Sequence, residues 1–131
     1  MGKLSTVENQ LGPGRILIAI YGIFAISSTA RASYQLIFEF SQAPLAYSLS
    51  AIAAVVYLLA TFLLANAKLR KYAKFAIYFE LAGVLLVGLL SLILPNLFNH
   101  PSVWSGFGIG YGFVPLLLPL IGIYWLRRVN A

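Results

Sequence analysis

From Leu45 to Ala65 the chain carries no charged residue. Three further runs, Ile16–Phe40, Phe75–Leu94 and Val103–Leu126, are interrupted only by isolated ionisable groups. About 20 apolar residues span the roughly 30 Å of hydrocarbon in a bilayer. In that solvent every backbone N–H and C=O must be bonded within its own segment, so such runs become helices. The pattern predicts an all-α membrane protein: four transmembrane helices in an up-down bundle, forming one domain over residues 1–131, with almost no soluble mass.

A soluble fold of this length has too little interior for the composition. Hydrophobic residues make up 61% and charged residues 9%, against about 45–50% and 25% in soluble domains. The net charge of +6 would suit nucleic acid on a soluble domain. Here no exposed domain exists to carry a basic face, and no nucleic-acid partner is expected. Cysteine is absent, which excludes disulfides, thiolate metal sites and thiol catalysis. The expected partners are the lipid bilayer and, within it, another membrane protein or further copies of this chain. No cofactor and no metal are expected.

Residues Met1–Gly14 read as a short polar head, with Leu11-Gly12-Pro13-Gly14 as a turn. Lys3, Arg15 and the apolar Ile16–Ile26 also fit a signal peptide, with Ala30-Arg31-Ala32 as its cleavage site. Against that, the apolar pattern continues through Tyr34, Leu36, Ile37, Phe38 and Phe40. Ser41–Pro44 is a tight connection, and Pro44 suits the first turn of the next helix. Lys3, Arg15, Lys68, Arg70, Lys71, Lys74, Arg127 and Arg128 all fall on one side of a four-span chain. The excess of basic residues in cytoplasmic segments then places both termini and the 66–74 loop in the cytoplasm, in a plasma membrane. Tyr34, Tyr47 and Trp104 fall near one boundary and Tyr72, Tyr124 and Trp125 near the other, as interfacial aromatics do.

Three features could carry chemistry. Glu80 follows Phe75–Phe79, roughly 10 Å beyond Lys74 at 1.5 Å per residue. A carboxylate at that depth must find a partner or be protonated. It is either a coupling site for a proton or cationic solute, or a structural group bonded to Tyr21, Tyr57 or Thr61 or paired with Arg15 or Arg127. Arg31 belongs to a polar ladder, Ser27, Arg31, Gln35 and Glu39, whose four-residue spacing stacks them on one helix face. The ladder would either satisfy Arg31 within its own helix or open a polar pocket for an anion or headgroup. Gly106, Gly108, Gly110 and Gly112 form two overlapping small-xxx-small pairs, the pattern that lets helix backbones approach closely. Pro115 and Pro119 each remove a backbone hydrogen bond and predict a kinked fourth helix. The glycine run resembles a dinucleotide-binding loop only in spacing, since no strand precedes it. His100 stands alone beside Asn96 and Asn99, without the companions a metal site or catalytic triad requires.

Three segments together, Gly14–Gly22, Ala43–Ser50 and Trp104–Tyr111, resemble small four-span integral membrane proteins of actinobacteria. That resemblance covers most of the chain. It implies the same topology in a bacterial membrane and transfers no catalytic residue. Small multidrug-resistance transporters match in size and span count, but their essential glutamate lies in the first span, where this chain has none before Glu39. The expected role is a non-catalytic accessory or assembly subunit of a membrane complex. The alternative is a small proton- or cation-coupled transporter using Glu80, ahead of an intramembrane enzyme.

Overall fold

The computed structural model describes residues 2–97 and 102–129, and among them every regular element is helical. Helix α2 (Pro44–Ala65) opens on Pro44, whose missing N–H would have no partner in a first turn. It closes at Asn66, whose N–H bonds the Phe62 carbonyl at 3.2 Å while its side-chain Oδ1 accepts from the Lys68 N–H at 3.0 Å. That compact turn lets α3 (Arg70–Ile93) begin ahead of the apolar run and take Lys71 and Lys74 into its first turns. Long cationic side chains are good helix formers and can reach out of the apolar layer.

Helix α1 (Gly2–Phe38) does not turn at Leu11–Gly14 as expected; it runs straight through. The reason lies across the bundle. Gly14 is pressed against the Trp125 indole, and a Cβ there would run into the ring. This glycine serves close approach rather than a turn. The part of α1 apolar enough to cross a membrane is Gly14–Phe38. With α2 and α3, three helices are long and apolar enough to do so.

The fourth run departs further from expectation. Instead of one kinked helix it forms two short 3-10 turns, Ser105–Phe107 and Ile109–Tyr111, then α4 (Val114–Arg128). The two parts meet at 98°, so they make a fourth membrane-length element only as a bent pair. The bend falls at Gly112 and Phe113, both left-handed with φ of 62° and 61°, and not at either proline. Pro115 lies in the first turn of α4 and Pro119 inside it, with the helix continuing to Arg128. The Phe113 carbonyl accepts from the N–H groups of Leu116 and Leu117 at 3.0 Å each, which starts the helix.

The helices pack through small side chains at three- and four-residue spacing. Ala46, Ser50, Ala53, Tyr57, Ala60 and Leu64 bury one face of α2, and Ala73, Ile77, Glu80, Val84 and Val87 one face of α3. Helix α1 packs on α2 and α4, and α3 packs on α2, α4 and the Ser105–Phe107 turn. The opposite faces expose Ile52, Val55, Leu59 and Phe62 on α2 and Phe75, Phe79, Leu86 and Ile93 on α3. An outward face this apolar suits hydrocarbon. At one end Arg70 Nε donates to the Leu64 carbonyl at 2.9 Å and its guanidinium sits 4.9 Å from the Trp125 ring centroid. That end therefore gathers Gly14 of α1, the end of α2, the start of α3 and the end of α4.

Candidate functional site

Two polar regions lie inside this frame. The first is closed. Glu80 is 0% exposed, and its Oε1 accepts a hydrogen bond from the Tyr21 hydroxyl at 2.7 Å. The Tyr57 hydroxyl accepts from the Trp104 indole N–H at 3.1 Å. The Tyr21 and Tyr57 rings stand 6.3 Å apart, and Phe24 extends the aromatic chain, 5.6 Å from Tyr57 and 5.8 Å from Tyr111. Gly83 makes room for this cluster, since a Cβ there would come within 2.5 Å of the Trp104 ring. Of the partners expected for Glu80, Tyr21 is the one bonded to it. Thr61 instead donates to the Tyr57 carbonyl of its own helix at 2.7 Å, and Arg15 and Arg127 are exposed. The second carboxylate oxygen, Oε2, is buried with no hydrogen-bond partner.

The second region is open. At the end of the bundle away from Trp125 lies a cavity of about 420 Å³. Helix α1 contributes Ser28, Arg31 and Gln35, helix α2 contributes Tyr47 and Ser50, and the segment before α4 contributes Ser102, Ser105 and Tyr111. The expected ladder is only partly brought together. Arg31 and Gln35 line the cavity, but Ser27 does not, and Glu39 falls beyond the end of α1 at Phe38. Arg31 makes its hydrogen bond across the bundle rather than along its helix. Its guanidinium donates to the Tyr111 hydroxyl and lies 5.5 Å from that ring's centroid. The Gln35 side-chain oxygen is buried without a partner.

The glycine segment that walls this cavity is not part of a continuous helix. Gly106, Phe107, Gly108 and Gly112 all have positive φ, at 59°, 61°, 85° and 62°. Three of the four glycines thus supply left-handed backbone, which only glycine adopts freely. Gly108 also leaves space for the Pro115 ring, which a Cβ would approach to 2.7 Å. Gly110, expected at a packing contact, has nothing within 4 Å of where a Cβ would stand. The segment is anchored from α3: Ser91 Oγ accepts from the Gly106 N–H at 2.8 Å, and the Phe107 ring seats on Gly88. His100 and Asn99 lie outside the described residues.

Sequence reasoning missed Ser50, Ser102, Ser105 and Tyr111 as cavity residues and Trp104 as the donor to Tyr57. Two serines flanking Val103-Trp104 at the mouth of a glycine run were the available signal. The chain matches no family model, no curated protein and no solved structure.

Proposed function

We propose that the protein is a non-catalytic accessory or assembly subunit of a membrane complex. It would have four spans, the fourth being the bent pair ending in α4, and both termini would be cytoplasmic in a plasma membrane. The observation that carries this reading is the enclosure of Glu80. A carboxylate that couples ion movement has to meet the solute and water in turn. Glu80 is fully buried, is held by Tyr21, and is not among the described residues lining the cavity. An intramembrane carboxylate used this way ties α1 to α3. The wide apolar faces of α2 and α3 are what remains to meet lipid or another subunit.

One observation favours the transporter reading: the unpartnered Glu80 Oε2 leaves that oxygen open to a proton or a cation. Purification in mild detergent, with identification of co-purifying chains, separates the two. A stable companion chain or a homo-oligomer is expected. A chain that purifies alone, and that on reconstitution supports a cation flux abolished by Glu80→Gln, would replace the subunit reading with the transporter. The orientation has its own test. A cysteine replacing Asn66 should be shielded from an impermeant thiol reagent in intact cells, and one replacing Asn96 should be labelled; the opposite pattern reverses the topology.

A further inference from the structure

We propose that the cavity at the Arg31 end binds a phosphate ester whose substituent carries a hydrogen-bond donor, the chemistry shared by a phospholipid headgroup such as phosphoglycerol and by a soluble sugar or polyol phosphate.

The charge comes from Arg31, the one charged residue among the described residues that line the cavity. Its partners, the hydroxyl and ring of Tyr111, are neutral, and among the described residues no carboxylate is paired with it. The chain has three acidic residues. Glu80 is sealed against Tyr21, and Glu39 is not among the described residues that line the cavity. In sequence the other eight basic residues fall within residues 3–15, 68–74 and 127–128. A guanidinium presents five N–H donors in a flat fork that matches phosphate oxygens. One bond to Tyr111 leaves most of them available.

The hydroxyls supply further donors. Ser50 Oγ accepts from the Val103 N–H at 3.2 Å, which leaves its own proton to donate. Ser102 and Ser105 share one proton between their hydroxyl oxygens at 2.9 Å, and Ser105 Oγ also accepts from the Ser102 N–H at 2.9 Å. One proton of that serine pair is therefore surplus. Donors from α1, α2 and the segment before α4 converge on one space. An anion with three or four oxygens uses them better than a two-oxygen carboxylate.

Size and the orphan acceptor specify the rest. Cavities of about 300–1,000 Å³ take small organic ligands, and about 420 Å³ exceeds what bare phosphate fills. The buried, unpartnered Gln35 oxygen is an acceptor beside a cationic site. A hydroxyl or ammonium on the phosphate's substituent would satisfy it while the phosphate meets Arg31.

The test uses the full chain, delipidated in neutral detergent and examined by native mass spectrometry. The probes are phosphatidylglycerol, a glycosyl diacylglycerol that has hydroxyls but no phosphate, and sn-glycerol 3-phosphate. Retention of phosphatidylglycerol or glycerol 3-phosphate over the glycolipid is expected. Arg31→Gln should weaken it roughly tenfold or more, as loss of a charge-assisted pair does. Arg31→Lys should fall between, keeping the charge but losing the fork. Gln35→Leu removes no bonded partner and should weaken retention by a smaller factor. It therefore still reports if Arg31→Gln fails to fold, which helicity by circular dichroism checks. Binding of phosphatidylglycerol alone assigns the site to the bilayer lipid. Binding of glycerol 3-phosphate, with displacement of the lipid, assigns it to a soluble ester. Equal retention of the phosphate-free glycolipid, or undiminished binding in both folded Arg31→Gln and Gln35→Leu variants, would overturn the proposal.

Discussion

Glu80 and Arg31 face the same physical difficulty, a charged group on an apolar helix, and the fold answers it in opposite ways. Glu80 is enclosed: Tyr21 donates to it at 2.7 Å, and aromatic rings and a glycine close the surrounding space. Arg31 is left at the rim of a cavity, exposed and bonded to a neutral tyrosine. A buried carboxyl group held by a close donor adds connectivity between helices. A charge beside unfilled space and unspent hydroxyl donors offers a place to bind. The difference separates a residue that holds the bundle together from one that faces outward for recognition.

The comparison breaks most visibly if the closed region tolerates bulk. Gly83→Leu should be the most damaging substitution, costing about 3 kcal/mol in a reversible detergent-unfolding titration, because the side chain must displace the Trp104 ring and with it the bond to Tyr57. Wild-type stability there would mean that the aromatic cluster is loosely packed. Glu80→Leu should follow, at about 1–3 kcal/mol, since it leaves the Tyr21 hydroxyl buried without an acceptor. Tyr21→Phe in the Glu80→Leu background should recover part of that loss; no recovery would show that Glu80 acts through something other than Tyr21. Glu80→Gln keeps an acceptor for Tyr21 and replaces a group whose charged form is unfavourable to bury. Its stability should stay within about 1 kcal/mol of the parent, and a larger loss would mean that the ionised carboxylate is itself required. The smallest effect belongs to the open region. Gly110→Leu has free space around its side chain and should change stability by no more than about 0.5 kcal/mol, whereas a packed helix interface would lose far more.

Particular residues show how far local reasoning carried. Helix rise converts sequence position into depth, and depth leaves Glu80 five possible partners, Tyr21, Tyr57, Thr61, Arg15 and Arg127; the fold selects Tyr21. The role of Trp104 was not legible. It reaches Tyr57 from a segment 47 residues away along the chain, and no local pattern specifies that return. The four-residue spacing from Ser27 to Glu39 predicted a ladder that would have required α1 to extend past Phe38, where it ends. Gly106 and Gly110 illustrate a second ambiguity. A glycine can be needed for its missing Cβ or for its freedom at positive φ, and spacing alone does not distinguish the two. At Gly14 and Gly83 the missing Cβ matters; at Gly106 and Gly112 the backbone angle does.

What the sequence by itself determined is the helical character of the chain and the presence of helices long and apolar enough to cross a membrane. Those follow from summed transfer energies over runs of about 20 residues, which no single contact can reverse. The place of a carboxylate within the apolar run of α3 is read from the sequence in the same way. The break at Gly112–Phe113, the closing of Glu80 and the opening of a cavity at Arg31 were decided only by tertiary structure. Each depends on which side chains arrive from other helices, and in an apolar solvent that choice is made by packing and a few hydrogen bonds rather than by hydrophobicity, which treats every apolar face alike.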